Sequence, residues 1–317
     1  MAPQDASPQA ALSSSSNTTT ASSSSSSSST HHGLMFTSGF AAGVVSTGVL
    51  NPVDRALFLS VAERRPFLDA RNWRQPYQGL GQAIFGRAVS TGLWFPLERT
   101  MLQIVTTEDK GAKPSALTAL LAGQAAGVAN AVLLSPLNYV KYKTWGQPDS
   151  QRKFIRTATQ LYQQAGTASI LLRGLPTTCV RDGLFGGCFS SMRWALRSST
   201  TPADGCQSVG TDGPAPLSGF AVDFTAAAAA TALSAPFNYA RNMQFAADAS
   251  APAPSMRAAI AELVSDVRQQ RGAMGRLRTL TQRLNIGWGT MRVAGGMGLS
   301  AWLFDSILSA AEALLLR

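Results

Sequence analysis

Histidine is nearly missing from this 317-residue chain: His31 and His32 are the only two, and both end a serine-rich N-terminal stretch. With none elsewhere, Cys/His zinc sites and histidine-based acyl-transfer triads have no material to be built from. Three cysteines, Cys179, Cys188 and Cys206, show neither redox nor ligand spacing. The first two fall in an apolar segment, where they read as small buried residues. No catalytic residue, metal site or cofactor is therefore expected, and the chain does not read as an enzyme. Charge is scarce as well. Only 14% of residues are Asp, Glu, Lys or Arg, against about a quarter in soluble domains. Residues 1–32 contain no Lys or Arg and no apolar period. That argues against an Arg-rich presequence and a secretory signal, and the stretch is expected to be a disordered tail.

What the chain does have is long uncharged runs. Residues 33–53 and 115–140 carry no charge, and residues 214–240 carry only Asp223. Three further apolar runs each hold one charged spot: 79–97 with Arg87, 174–192 with Arg181 and Asp182, 287–304 with Arg292. Runs of about 20 apolar residues match a bilayer core at about 1.5 Å rise per residue. Six buried helices of a soluble bundle would each need a charged outer face, which these lack. The expected fold is an all-α membrane protein with six transmembrane helices. Charge placement gives an orientation. The segments 54–78, 141–173 and 241–286 hold 18 Lys/Arg against 7 Asp/Glu, whereas the termini and the opposite loops hold 6 against 8. The basic side is expected inside, with both termini outside. The same placement accounts for the net charge of +10 without nucleic-acid binding.

A repeat runs through the apolar segments. "VLNPVDRALF", "LLSPLNYVKYK" and "LSAPFNYARN" place Pro52, Pro136 and Pro236 near the inner end of the first helix of each pair. A glycine opens each second helix, in "YQGL", "LRGL" and "NIGW". Between them, "RKFIRTATQLYQQAG" and "MRAAIAELVSDVRQQRG" carry a helical period suited to a membrane surface. The first loop, "AERRPFLDARNWRQP", is too short and proline-broken for such a helix.

In these residues the chain resembles the mitochondrial carrier family, whose signature is Pro-x-[Asp/Glu]-x-x-[Lys/Arg] ending each odd helix. The resemblance covers residues 33–315 and implies three pseudo-repeats of about 100 residues around a three-fold pseudo-axis, at 33–105, 106–198 and 199–317, after the tail at 1–32. Proline bends a helix by removing an amide from the preceding turn, and three bent helices can close the bottom of a funnel. Charges past the bends would then form a matrix-side gate. Cyclic pairing gives Asp54 with Lys141 and Asn138 with Arg241, and leaves Asn238 opposite Leu57. Two acids and one base of the signature are thus replaced. The outer network of the family is worn too: "FD" at 304–305 matches, Glu98 follows "FPL", and Arg193 stands in the second repeat. Small residues in "GFAAG" and "GQAAG" suit close helix packing.

Arg87, Arg181, Asp182 and Arg292 stand at comparable depth on the even helices. Ionisable residues within a membrane are functional-site candidates by default. The resemblance implies that they bind substrate. An arginine takes a carboxylate in a two-pronged grip and an aspartate faces an ammonium group. A small carboxylate-bearing metabolite, anionic or zwitterionic, such as an amino acid or carnitine-like compound, is therefore expected. The implied setting is the mitochondrial inner membrane, as a monomer in the bilayer, with cardiolipin a candidate partner at the matrix-side helices. Another organelle membrane stays open. The alternative reading is a carrier fold that no longer transports and serves as an adaptor subunit of a membrane assembly.

Overall fold

The computed structural model describes residues 24–62, 67–74, 76–77, 80–108, 115–145, 154–200 and 217–315. Among them the regular elements are helices, the α-helical ones being α1 (Ser24–Ala62), α2 (Leu80–Glu108), α3 (Ala116–Trp145), α4 (Phe154–Leu172), α5 (Leu175–Thr200), α6 (Leu217–Ala246), α7 (Met256–Gln269), α8 (Gly272–Arg283) and α9 (Trp288–Leu315). Residues 1–23 of the expected tail, and Cys206, lie outside the described residues. Helix α1 reaches nine residues into that tail, starting at Ser24. Extending an existing helix fixes one residue per hydrogen bond gained, so a run of serines can continue one that an apolar segment nucleates.

Six long helices form a closed ring. α1 packs on α2, α2 on α3, α3 on α5, α5 on α6, α6 on α9, and α9 returns to α1. Four of them contain stretches long and apolar enough to cross a membrane: Gly33–Leu57, Ala116–Lys143, Gly219–Ala246 and Trp288–Leu314. The described residues therefore form an all-α molecule with four helices able to cross a membrane, as expected of an all-α membrane protein. Helices α2 and α5 are of similar length but more polar, because Arg87, Glu98 and Arg99 interrupt one and Arg181, Asp182, Arg193 and Arg197 the other.

Pro52, Pro136 and Pro236 lie inside α1, α3 and α6, and each helix runs on past its proline. The connections that follow the prolines, on what is here termed the inner side of the ring, differ. The first holds only a 3-10 turn, Ala70–Trp73, capped by the Asp69 carboxylate. The second is α4, broken at Gly166, whose φ of 73° a helix cannot hold. The third holds α7, capped by Ser255, and also α8, which the sequence reading did not anticipate.

Packing is inverted relative to a soluble bundle. Phe36, Phe40, Val45 and Val49 on α1, and Leu117, Leu121, Val128 and Val132 on α3, are exposed. Large apolar stripes facing outward with ionic groups inward need an apolar surround. The tightest contact is α3 on α5. A Cβ added to Gly127 would come 2.7 Å from the Asp182 carbonyl carbon, and one added to Gly123 2.8 Å from the Gly186 carbonyl carbon. Gly39 and Gly43 press in the same way against Thr91 and Ala88 of α2. Both small-residue stretches therefore lie at helix contacts, where backbones can approach only without side chains.

Candidate functional site

Two ionic layers lie inside the ring. The inner layer begins with Asp54, two residues past Pro52 on α1. Both its carboxylate oxygens accept from Arg292 of α9, one from Nε and one from Nη2. This is the two-pronged geometry that only a guanidinium offers. Neither side chain is more than 18% exposed. Lys141 of α3 lies within electrostatic range of Asp54, but the hydrogen bonds to that carboxylate come from Arg292 rather than from the expected gate partner.

Arg87 of α2 stands close by, within electrostatic range of Arg292, Asp54 and Arg181. Its Nη2 lies 3.5 Å from where a Cβ on Gly296 would stand. Gly296 is one turn beyond Arg292 on α9, so the guanidinium occupies room that a side chain there would take. Among the described residues, Arg87 makes no hydrogen bond or ion pair. Arg181 donates to its neighbour Asp182 and lies 5.6 Å from the Phe185 ring, while its buried Nε finds no acceptor among the described residues. Arg241 donates to Asn238 at 2.7 Å and Asn242 at 3.3 Å on its own helix. It lies within electrostatic range of Arg181 and Asp182. The structure thus gathers Asp54, Arg87, Lys141, Arg181, Asp182, Arg241 and Arg292 into one region. Asn138 sits one turn before Lys141 on α3, and Asn238, expected to face Leu57 idle, receives Arg241. Among the described residues, no set of His, Cys, Asp and Glu converges as metal ligands would.

The outer layer is denser than the sequence suggested. Asp223 of α6, 2% exposed, takes Arg193 at 2.7 Å and Arg197 at 3.3 Å, both from α5. Arg193 also lies 3.8 Å from Glu98 and 3.7 Å from Asp305. Arg99 reaches Asp305 at 3.4 Å, and the Ser190 hydroxyl donates to Glu98. Four helices, α2, α5, α6 and α9, are tied at this level. The signal for Asp223 was present, since a lone carboxylate in an uncharged run must find a cation.

A third polar feature lies at the inner ends. Arg173, 8% exposed, donates to the carbonyls of Gln244, Ala247, Asp248 and Ala249, and its guanidinium lies 5.8 Å from the Tyr139 ring. Lys143 adds bonds to the carbonyls of Ala246 and Ala247. These carbonyls belong to the last turn of α6 and to the three residues that follow it, where no further helical turn can serve them. The backbone N–H of Ser250 holds the exposed Asp248 carboxyl below its usual range.

Residues 112–198, which span α3 to α5, match the family model described as mitochondrial carrier protein. No curated protein matches the chain.

Proposed function

We propose that this chain, which matches the mitochondrial carrier family model over residues 112–198, is a carrier of that family and a solute transporter for a small anionic metabolite. One observation carries the substrate charge. In the inner layer five basic side chains, Arg87, Lys141, Arg181, Arg241 and Arg292, face two carboxylates, Asp54 and Asp182. A cationic excess among apolar helices is unfavourable unless an anion joins it. Among the described residues, Arg87 makes no hydrogen bond or ion pair that would offset its charge. A carboxylate-bearing solute supplies the missing charge, and Asp182 would accept the ammonium group of a zwitterion.

The ring of six long helices supports six membrane crossings arranged as three pseudo-repeats, with both termini on the outer side of the mitochondrial inner membrane. In that reading α2 and α5 cross despite their charges, because their arginines face the ring interior and not lipid. Transport proceeds as the two ionic layers alternately part. The test is reconstitution: purified protein in liposomes should take up labelled carboxylates from a metabolite panel, and Arg87→Ala should abolish that uptake. Uptake unaffected by Arg87→Ala, or no uptake of any carboxylate, would remove the basis of this reading.

A further inference from the structure

We infer that Asp54 is an internal competitor of the transported anion: its carboxylate occupies Arg292 in the empty protein, and an arriving anion takes Arg292 over, releasing Asp54. The inference rests on the reading that the inner cations bind solute.

Three observations converge on it. Asp54 is the sole acid among the three proline motifs, Asn138 and Asn238 standing at the equivalent positions. It lies just past Pro52 on α1, yet what grips it is Arg292 of α9 in a two-pronged pair. Finally, the guanidinium of Arg87 lies against α9 one turn away, beside Gly296, with no hydrogen-bond or ion-pair partner of its own among the described residues. Two guanidiniums side by side repel unless a negative group lies between them. Asp54 supplies one such group from one flank only. A free anion that bridged Arg87 and Arg292 would satisfy both, and Asp54 would lose its hold. A ligand can shift an equilibrium only by binding one state better than the other. Here the differential contact is Arg292, which either the helix carboxylate or the solute can hold, but not both in the same geometry. Occupancy of the site and the tether between α1 and α9 are thereby exclusive, which links binding to the freedom of the proline-marked end of α1.

The experiment measures anion protection of the purified full chain against thermal unfolding, using succinate and inorganic phosphate as probes and glucose as the uncharged control. Asp54→Asn and Asp54→Ser remove the competitor, and Asp54→Glu keeps its charge. Freeing a binding group from an internal partner raises the apparent affinity by the inverse of the fraction previously free. The half-protecting succinate concentration should fall about tenfold in the neutral variants and stay near wild type in Asp54→Glu. Adding Arg292→Gln to Asp54→Asn should erase the gain, which separates competition from a general change in charge. Protection of the neutral variants at the wild-type concentration or above, or no protection of any variant by either anion, overturns the inference. Uptake into liposomes runs in parallel. Tighter binding in Asp54→Asn with no transport by the wild type would fell the transporter reading alone. Transport by the wild type with unchanged affinity in Asp54→Asn would fell the competition alone.

Discussion

Replacing Asp223 by Asn swaps a carboxylate for a neutral amide of nearly the same shape, so packing stays and charge goes. Asp223 is 2% exposed and faces Arg193 at 2.7 Å and Arg197 at 3.3 Å. At an effective dielectric of about 20, the nearer pair alone carries roughly 6 kcal/mol of gross attraction, by 332/(εr). Most of that is offset by the desolvation of both groups. What a variant reveals is the uncompensated remainder, and removing one partner of a buried pair typically costs about 3–5 kcal/mol. Arg193 keeps Glu98 at 3.8 Å and Asp305 at 3.7 Å, so the lower end of that range applies, about 3 kcal/mol. For a chain of this size that corresponds to a fall of about 5 °C in the unfolding midpoint. The assay is thermal unfolding in detergent, for Asp223→Asn, Arg193→Met and the two together. Because the residues share one contact, the double variant should lose less than the sum of the singles, with a coupling of about 1–2 kcal/mol. A midpoint for Asp223→Asn within 1 °C of wild type, or strict additivity, would refute the argument that this layer is held by Asp223.

Gly127→Leu should lower the midpoint by more than 5 °C, because its Cβ meets backbone of α5 that cannot yield; Gly48→Ala, which has open space around it, should leave the midpoint unchanged or slightly raised. Arg173→Ala should lose about 2–3 kcal/mol and open the turn at 247–254 to protease, with Arg173→Lys restoring little, since one ammonium cannot serve four carbonyls; an unchanged cleavage pattern would argue against the clasp. Arg181→Ala should abolish uptake while the protein still inserts, and Asp182→Asn should lose zwitterions before simple anions. Normal uptake by a variant lacking both side chains would reduce the Arg181–Asp182 pair to a structural contact.

The helices were legible in the sequence because long uncharged runs leave the backbone no alternative in lipid. That is why the four most apolar stretches, and the helical loop segments now seen as α4 and α7, could be written down from composition and period. Helix α8 was not. Met274, Leu277 and Leu280 stand at helical spacing, but glycines at 272 and 275 interrupt the run, and nothing in the helix is fully buried, so packing offers it little support. The small residues of "GQAAG" could be flagged as suited to close packing, but their contact with Asp182 and Gly186 depends on how α3 and α5 are rotated. The site divides in the same way. Arginines within apolar runs announced themselves by their cost. Their partners did not, because Arg292 and Asp54 are separated by 238 positions, and which helix face turns inward is decided by packing across the ring. Family logic set Asp54 against the next repeat, whereas the guanidinium with reach and planarity enough to fork the carboxylate stands on α9.

The clasp of Arg173 on the end of α6 bears on how such a ring can open. A helix whose last carbonyls are held by the side chain that begins its neighbour cannot withdraw alone; pulling α6 outward drags the start of α5, and Lys143 couples the end of α3 to the same strap. On the other flank the end of α1 is held to α9 by the Asp54–Arg292 pair, and beyond it Phe67 stacks on Trp288 at 4.7 Å. Such a stack can slide without leaving a buried donor bare. An aperture of three nominally equal leaves would then hinge as two, with α3, α5 and α6 turning together against an α1 that swings once Asp54 leaves Arg292.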